Sequence, residues 1–364
     1  MKIAIDIREA GGERAGKGNY TFHITKNLLD LDPYNEYILY TQALLAGFDE
    51  YKNAEIRVIE KTGLTWHRKV AKDAKKSKVD IFFAPTSYII PTILPPHIHT
   101  FLTVHDLVAF LHPETHNRKA TFIEKLTLKR ALKKSHHILT VSENTRKDLI
   151  KKYKTESEKI SVIPCAASSR FRPIPKDELA PFAQKTNLPS RFFLAVGTII
   201  PRKNYKNLIL AFSEIQKRDS EHHLIIVGSK GWQSDDISAL ISKHYLQKKV
   251  HFLGYLSESS LSKLYNLATA LVFPSLYEGF GIPPLEAMQS GCPVIASFTS
   301  SLPEVVGDSA LLIDPTSPTE IAKAMLKVAR DPDLTNTLRE KGLKQAKNFS
   351  WKKSAGMLLK AFKE

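Results

Sequence analysis

Two glutamates, Glu278 and Glu286, stand eight residues apart in FPSLYEGFGIPPLEAMQSGCPVI, and their setting is the most informative in the chain. On one continuous helix, at about 100° per residue, they would lie about 80° out of register. The sequence forbids that helix. Gly279 and Gly281 admit unusual backbone angles, while Pro283 and Pro284 suit a first helical turn and nothing deeper. Glu278 is therefore expected to end a loop that follows a strand, with Gly279, Phe280, Gly281 and Ile282 wrapping a ligand in bare backbone. Glu286 is expected in the first turn of a helix over residues 284–290. An ionised carboxylate there accepts both hydroxyls of a cis-diol such as ribose, and Glu278 reaches a second polar group across the loop. Offsetting the helix dipole is the plainer role for Glu286, but it leaves the glycines and Glu278 without a reason.

Three other loops carry candidate chemistry. In GTIIPRKNYKNLILAF, Pro201 ends an extended run and Asn204 is placed to cap the next helix, so Arg202 and Lys203 precede a helix N-terminus. Two cations there would clamp a diphosphate, since charge, guanidinium geometry and helix dipole converge; a solvated basic turn is the alternative. In AGGERAGKGNYTF, Gly11, Gly12, Gly16 and Gly18 crowd the approach to a helix expected from about Tyr20. Backbone N–H groups in such a loop can approach a phosphate or a sugar, although the spacing is not that of a dinucleotide fingerprint and a merely flexible loop fits as well. In LTVHDLVAF, His105 and Asp106 follow a strand, where a histidine hydrogen-bonds a hydroxyl or titrates near neutral pH. A structural histidine is the plain alternative.

The elements that must position these loops are short apolar runs alternating with helical patterns. Strands are expected at residues 2–7, 37–41, 55–59, 79–85, 100–105, 137–141 and 160–164, and again at 192–196, 223–227, 250–253, 270–274, 293–296 and 310–313. Continuous apolar strands separated by helices imply α/β architecture, with doubly wound parallel sheets covered on both faces. Two sheets are expected. Between them CAASSRFRPIPKDELAPFAQKTNLPSR has four prolines and no sustained period, and reads as a linker. A length of 364 residues agrees with two domains. These fall at residues 1–170 and 191–350, joined by a linker at 171–190.

Bulk properties narrow the class. The 43% apolar and 25% charged fractions are those of an ordinary globular protein, which excludes disorder as the main state. The longest apolar stretch, residues 192–201, is about half of what spans a bilayer. With two cysteines, Cys165 and Cys292, no disulfide framework or zinc-spaced cluster is available. The net charge is +16, and residues 1–176 hold 30 basic against 19 acidic side chains. A positive surface points to a polyanionic partner: nucleic acid, an anionic membrane or a phosphorylated small molecule.

EGFGIPPLE, from Glu278 to Glu286, resembles the E-x7-E signature of retaining glycosyltransferases of family 4, which have the GT-B fold. PRKN at 201–204, VHFLGYLSESSLSKLY at 250–265 and SLPEVVGDSALLIDP at 301–315 resemble the same family in the same order. GKGNY and the VHD at 104–106 extend the likeness to nearly the whole chain. The resemblance implies two Rossmann-like domains facing a cleft, the first on the acceptor side and the second binding the sugar nucleotide. It also implies a final helix, 351–364, that returns to the first domain, with Trp351, Leu358, Leu359 and Phe362 as anchors.

By the same resemblance Glu286 binds the ribose, and Glu278 holds a donor-sugar hydroxyl near the reacting carbon. Phe280, Gly281 and Ile282 line the donor with backbone, Lys203 binds phosphate, Gly16 and Gly18 approach the diphosphate, and His105 contacts the donor sugar. Tyr255 lies where the base is held. Many members place an arginine where this chain has Thr198, and Arg202 is expected to supply that charge. The expected catalytic set is thus Glu278, Lys203, Arg202 and His105. The expected reaction is metal-independent transfer of a hexose, mannose first, from a nucleoside-diphosphate sugar, with no cofactor. The acceptor is a glycan or lipid-linked molecule in cell-surface polysaccharide, including lipopolysaccharide, biosynthesis.

Competing readings are a catalytically silent sugar-nucleotide binder and a basic nucleic-acid-binding protein. The latter lacks a recognisable recognition motif, so no nucleic-acid partner is expected. Asp30 and Asp32 spell a D-x-D, but they end a helix ahead of Pro33 and read as a turn. WHRKVAKDAKKSK, residues 66–78, reads as a basic helix that touches an anionic membrane surface. A cytoplasmic protein is expected, peripheral on the inner face of the plasma membrane.

Overall fold

The structure, a computed structural model, describes residues 1–12, 16–111, 118–229, 231 and 234–363. It divides into two units, Met1–Cys165 with Ser350–Glu364, and Ala166–Phe349. Each is built on a parallel sheet.

The first unit holds strands β1 (Lys2–Asp6), β2 (Glu36–Thr41), β3 (Ala54–Val58), β4 (Ile81–Ala84), β5 (His99–Val104), β6 (His137–Thr140) and β7 (Ile160–Val162). Its helices are α1 (Gly16–Leu31), α2 (Gly63–Lys76), α3 (Ile89–Ile93), α4 (Val108–Leu111), α5 (Arg118–Lys134) and α6 (Glu143–Tyr153). The sheet order is β3-β2-β1-β4-β5-β6-β7, all parallel. Chain order reverses between β1 and β4, which makes that gap the switch point where open α/β sheets receive ligands. Both faces are covered, which is why the strands read as unbroken apolar runs. Ala4, Phe82, Leu102 and Ile138 face a core with Trp66 and Val70 of α2 and Leu128 of α5. On the other face Phe83 and Phe101 pack against Phe362, at 6.0 and 4.8 Å between ring centroids.

The second unit holds α7 (Lys176–Lys185), β8 (Phe192–Val196), α8 (Tyr205–Gln216), β9 (His223–Val227), α9 (Ser234–Lys243), β10 (Val250–Gly254) and α10 (Glu258–Leu267). There follow β11 (Ala270–Phe273), α11 (Ile282–Gln289), β12 (Val294–Ser297), α12 (Leu302–Val306), β13 (Ala310–Ile313), α13 (Pro318–Arg330) and α14 (Pro332–Ala346). The sheet order is β10-β9-β8-β11-β12-β13, so the switch point lies between β8 and β11. Phe193, Ala195, Leu224, Ile226 and Val272 meet Leu208 and Phe212 of α8 and Met325 of α13 in its core. Serine and aspartate side chains cap several helices: Ser257 accepts from the Ser260 N–H, Ser317 from Glu320 and Asp331 from Leu334. Each such cap contributes about 1 kcal/mol.

The last helix, α15 (Trp351–Ala361), is part of the first unit. Trp351 stacks on His23 of α1, 5.4 Å between centroids, and meets Tyr20 edge-on at 5.9 Å. Ser354 donates 2.6 Å to the Pro164 carbonyl, while Leu358 and Phe362 are buried and Leu359 is half-buried.

Three expectations are corrected. The stretch 171–190 is not a bare linker, because it contains α7 and is tied to the second unit. Gln289 donates to the Ser168 and Phe171 carbonyls, and Asn266 donates to the Arg172 carbonyl while accepting from the Ile174 N–H. Gly16 and Gly18 lie inside the first turn of α1 rather than in a loop before Tyr20; the adjoining residues 13–15 lie outside the described residues. Asn204 precedes α8 but does not cap it through its side chain. Its backbone is left-handed, φ 59°, and its amide donates to the Pro274 and Pro315 carbonyls, pinning the turn after β8 to two other loops.

Candidate active site

Because β8 and β11 are neighbours, the turn after β8 and the loop after β11 come together, although about 75 residues separate them. Their backbones join where the Leu276 N–H donates 2.8 Å to the Arg202 carbonyl. Arg202 Nη1 lies 2.7 Å from Glu278 Oε2 and donates to the Tyr277 carbonyl, and Lys203 Nζ lies 2.7 Å from Glu278 Oε1. All three side chains are largely buried, with exposures of 17%, 12% and 11% for Arg202, Lys203 and Glu278. Burial disfavours the Glu278 charge, but Arg202 first and Lys203 beside it outweigh burial and hold the carboxyl at about 2. The cluster therefore presents two fixed cations and one carboxylate near neutral pH. Arg202, not residue 198, brings the guanidinium; Thr198 is exposed.

Backbone geometry makes room for this cluster. Gly197, φ 142°, follows β8, and a Cβ there would sit 3.0 Å from Lys203 Cε, so the missing side chain gives the lysine stem its path. Lys203 Nζ also lies 4.5 Å above the Phe273 ring. In the opposite loop Gly281 has φ 120°, and a Cβ would come within 2.8 Å of Leu302 Cδ2. Ser300 and Ser301 brace that loop: the Glu278 N–H donates to Ser300 Oγ, and Ser301 Oγ lies 2.9 and 2.7 Å from the Glu278 and Phe280 carbonyls. Phe280 itself turns inward, 6% exposed, with its ring 5.6 Å from Phe349.

Glu286 differs from expectation in two respects. α11 starts at Ile282, which places Glu286 in its second turn, so offsetting the helix dipole is not its role. Its carboxyl is also buried and pushed up to about 8, chiefly by burial and further by the Glu258 charge, against the opposing hydrogen bond from Tyr265. It therefore holds a proton near neutral pH in place of the ionised form expected. Tyr265 Oη donates to Glu286 Oε2 at 3.0 Å. Glu286 is thus not joined to the Glu278 cluster by a bond; α10 and α11 hold it separately. Ile282 is half-buried, and Tyr255, at the end of edge strand β10, is 50% exposed.

In the first unit His105 follows β5, and β5 adjoins β4. Its Nε2–H donates 2.8 Å to the Pro85 carbonyl, which leaves Nδ1 as the ring's acceptor. Tyr20 of α1 meets the ring edge-on at 4.7 Å. Burial first, and then the Lys17 charge, lower the imidazole to about 4. His105 is consequently neutral at pH 7, so of the two roles its position suggests, titration near neutral pH is set aside and hydrogen bonding is kept. Lys17, Gly16 and Gly18 start α1 beside the β1–β4 switch point, so this end of the first unit offers a helix N-terminus, a lysine and a neutral histidine.

Tyr265, Ser300, Ser301 and Lys17 are neighbours of the candidate residues to which the sequence assigned no role of their own. Ser301 opens the family-like segment 301–315 and Tyr265 closes the segment 250–265, but neither segment marked the side chain's contact. The D-x-D residues end α1: Asp30, in its last turn, accepts from the Tyr51 hydroxyl, and Asp32, just beyond it, accepts from the Tyr37 hydroxyl and the Asn35 amide. Among the described residues no group of three or more His, Cys, Asp or Glu side chains could hold a metal ion. No helix among them is long and apolar enough to cross a membrane.

Known proteins resemble this chain in sequence and in fold. The family described as "Glycosyl transferases group 1" matches residues 176–345, and "Glycosyltransferase Family 4" matches 51–169. An O-antigen chain mannosyltransferase B of Escherichia coli is 34% identical over 309 residues, covering 84% of this chain and 80% of that protein. The serotype-specific mannosyltransferase WbdA of Escherichia coli is 30% identical over 269 residues, 72% of this chain but 33% of its own length. Among solved structures, Anabaena Alr3699/HepE in complex with UDP and glucose superposes with a TM-score of 0.81 at 19% identity, covering 100% of this chain and 99% of that one.

Proposed function

The chain belongs to glycosyltransferase family 4, with two Rossmann-like domains of the GT-B fold, and we propose that it transfers a hexose with retention of configuration. The donor in this reading is a nucleoside-diphosphate sugar, GDP-mannose first, and the acceptor is a glycan or lipid-linked molecule of cell-surface polysaccharide. The mannosyltransferase relatives support the sugar and the class of product. The observation that carries the reading is the convergence of Arg202 and Lys203 on Glu278 at the β8–β11 switch point.

In this reading the donor's diphosphate takes the place of the Glu278 carboxylate as partner of the two cations. Negative charge grows on the leaving diphosphate as the anomeric bond breaks, so preorganised Arg202 and Lys203 stabilise the transition state more than the bound donor. Glu278, released from one or both cations, accepts a hydrogen bond from a sugar hydroxyl, and the N–H groups of the braced 279–282 loop face the same ligand. Glu286 takes the ribose hydroxyls. No metal is assigned a role, because the cations of this loop pair meet the diphosphate charge directly. A membrane-surface seat completes the reading, with α2 as the contact.

The test is transfer from radiolabelled GDP-mannose and UDP-glucose to a mannose-terminated acceptor, with the product's anomeric configuration read by NMR. The expected product is the α-linked mannoside. Lys203→Ala is expected to lower kcat by at least about 100-fold, and Glu286→Ala chiefly to raise the donor KM. An inverted product, or wild-type turnover in both variants at subsaturating donor, would overturn the assignment.

A further inference from the structure

The backbone of His105 is anchored independently of its ring. The His105 carbonyl accepts from Thr145 Oγ1 at 3.3 Å, and the Thr145 N–H donates to Ser142, the N-cap of α6. The ring makes one hydrogen bond, from Nε2–H to the Pro85 carbonyl at 2.8 Å. A carbonyl only accepts, so Nε2 carries the proton and Nδ1 is bare. That bond fixes a single ring atom. The last side-chain torsion of a histidine is broad and roughly two-fold, so one bond leaves the imidazole plane free to tilt.

Tyr20 of α1 removes that freedom. Its ring stands at 88° to the imidazole with centroids 4.7 Å apart, the edge-to-face arrangement that aromatic pairs favour. Its hydroxyl is hydrogen-bonded to Thr103 Oγ1 at 3.2 Å, two residues before His105 on β5. One side chain thus grips both the strand and the ring that follows it. Tyr20 is fully buried and is backed by Trp351 of α15, 5.9 Å away between centroids. The Trp351 indole N–H is buried without a partner among the described residues, so ring contacts with Tyr20 and His23 seat it. His105 Nδ1 also has no partner among the described residues, and the residue keeps 8% of its surface exposed. A neutral imidazole with its acceptor open and its plane fixed is arranged to receive a hydroxyl at a set angle.

We propose that Tyr20 is a positioning residue for His105: its ring and its bond to Thr103 set the imidazole plane so that Nδ1 accepts a hydrogen bond from a hydroxyl of the donor sugar. The proposal rests on the reading of His105 as a donor-sugar contact, and it names the side chain on which the geometry of that contact depends.

The experiment is a double-mutant cycle on the full chain, with kcat and KM measured for the donor from which the wild type transfers. Tyr20→Met fills much of the volume with a flexible stem, Tyr20→Phe keeps the ring without the hydroxyl, and His105→Ala removes the contact. A misplacement of about 1 Å at a reacting centre costs on the order of 100-fold, so Tyr20→Met is expected to lower kcat/KM by about 10–100-fold. Tyr20→Phe is expected to restore most of that loss. Affinity for the donor's nucleoside diphosphate, which lacks the sugar, is expected to stay at the wild-type value in both. In the His105→Ala background, Tyr20→Met is expected to cost no more than about 2-fold further, because positioning acts only through the imidazole. A tyrosine that merely supports the fold gives the opposite pattern: its cost persists without His105, and that additivity would overturn the proposal. So would Tyr20→Met at wild-type kcat/KM. Wild-type kinetics in His105→Ala would overturn the donor-sugar reading of His105 and the proposal with it, whereas a damaged His105→Ala with additive losses overturns the proposal alone. Nitrogen NMR of the imidazoles tests the fixed ring with no donor and no Tyr20 variant, His105→Ala identifying the signal. The expected form at pH 7 is Nε2–H with bare Nδ1; an Nδ1–H form, or an average of the two tautomers, would overturn the proposal even where Tyr20→Met does not fold.

Discussion

The Tyr265 hydroxyl donates a 3.0 Å hydrogen bond to Glu286 Oε2 inside the second unit, with Tyr265 fully buried and Glu286 7% exposed. This bond is the one influence that favours the ionised carboxylate against burial and the Glu258 charge. Tyr265→Phe is therefore expected to raise the Glu286 pKa further and weaken nucleotide binding at pH 7, raising the donor KM with little change in kcat. It should also cost about 1 kcal/mol of stability. Denaturant unfolding and calorimetric titration with GDP measure the two effects separately.

Binding of the donor should move a proton. With the free carboxyl at about 8, Glu286 is mostly protonated at pH 7, and gripping the ribose as a carboxylate requires its release. Titration in buffers of different ionisation enthalpy should show close to one proton released per GDP at pH 7, and none with Glu286→Gln. The stability sign follows from the same shift. The fold retains a proton that the unfolded chain has lost above about 4.5, so this group's stabilisation is fully present below 4.5 and fades as pH rises through about 8. Glu286→Gln should flatten that decline.

Glu278 has the opposite sign. Its folded carboxyl sits at about 2, below the ordinary 4.5, so its stabilisation is present above 4.5 and is lost as pH falls toward 2. The shift corresponds to a contribution on the order of 3 kcal/mol. Glu278→Gln should be less sensitive to acid across that window in thermal melts. Glu278→Ala, which leaves two largely buried cations without their carboxylate, should lose about 3–5 kcal/mol at pH 7.

The last helix should be a structural necessity for the first unit. Trp351 is 6% exposed between Tyr20 and His23 of α1, the helix whose N-terminus faces His105. Trp351→Ala is expected to cost about 3–5 kcal/mol, and Trp351→Phe markedly less. Thermal unfolding followed by tryptophan-independent far-ultraviolet dichroism distinguishes them.

Most of the architecture was legible because parallel strands buried on both faces leave a strong mark. Runs such as FFLAV and HLIIV have no polar alternation to confuse with an exposed sheet. The paired glycines and prolines around Glu278 likewise announced a loop, since few other structures tolerate them. Local readings failed where a tertiary partner decided. Asn204 looks like a helix cap, but two distant carbonyls claim its amide. The proline-rich stretch 171–190 looks like a linker, but Asn266 and Gln289 hold its neighbourhood to the second unit.

Sequence alone determined the two α/β sheets, the loops that carry chemistry and the residue types in them, because hydrophobic period and backbone restriction are local properties. It also marked α2 as a basic helix. Only the tertiary structure decided which charges meet: that Arg202 and Lys203 share Glu278, that Glu286 keeps its proton beside Tyr265, and that His105 stays neutral. The reason is physical. A side chain's charge state depends on burial and on neighbours within a few ångströms, and strand order, not sequence distance, brings those neighbours together.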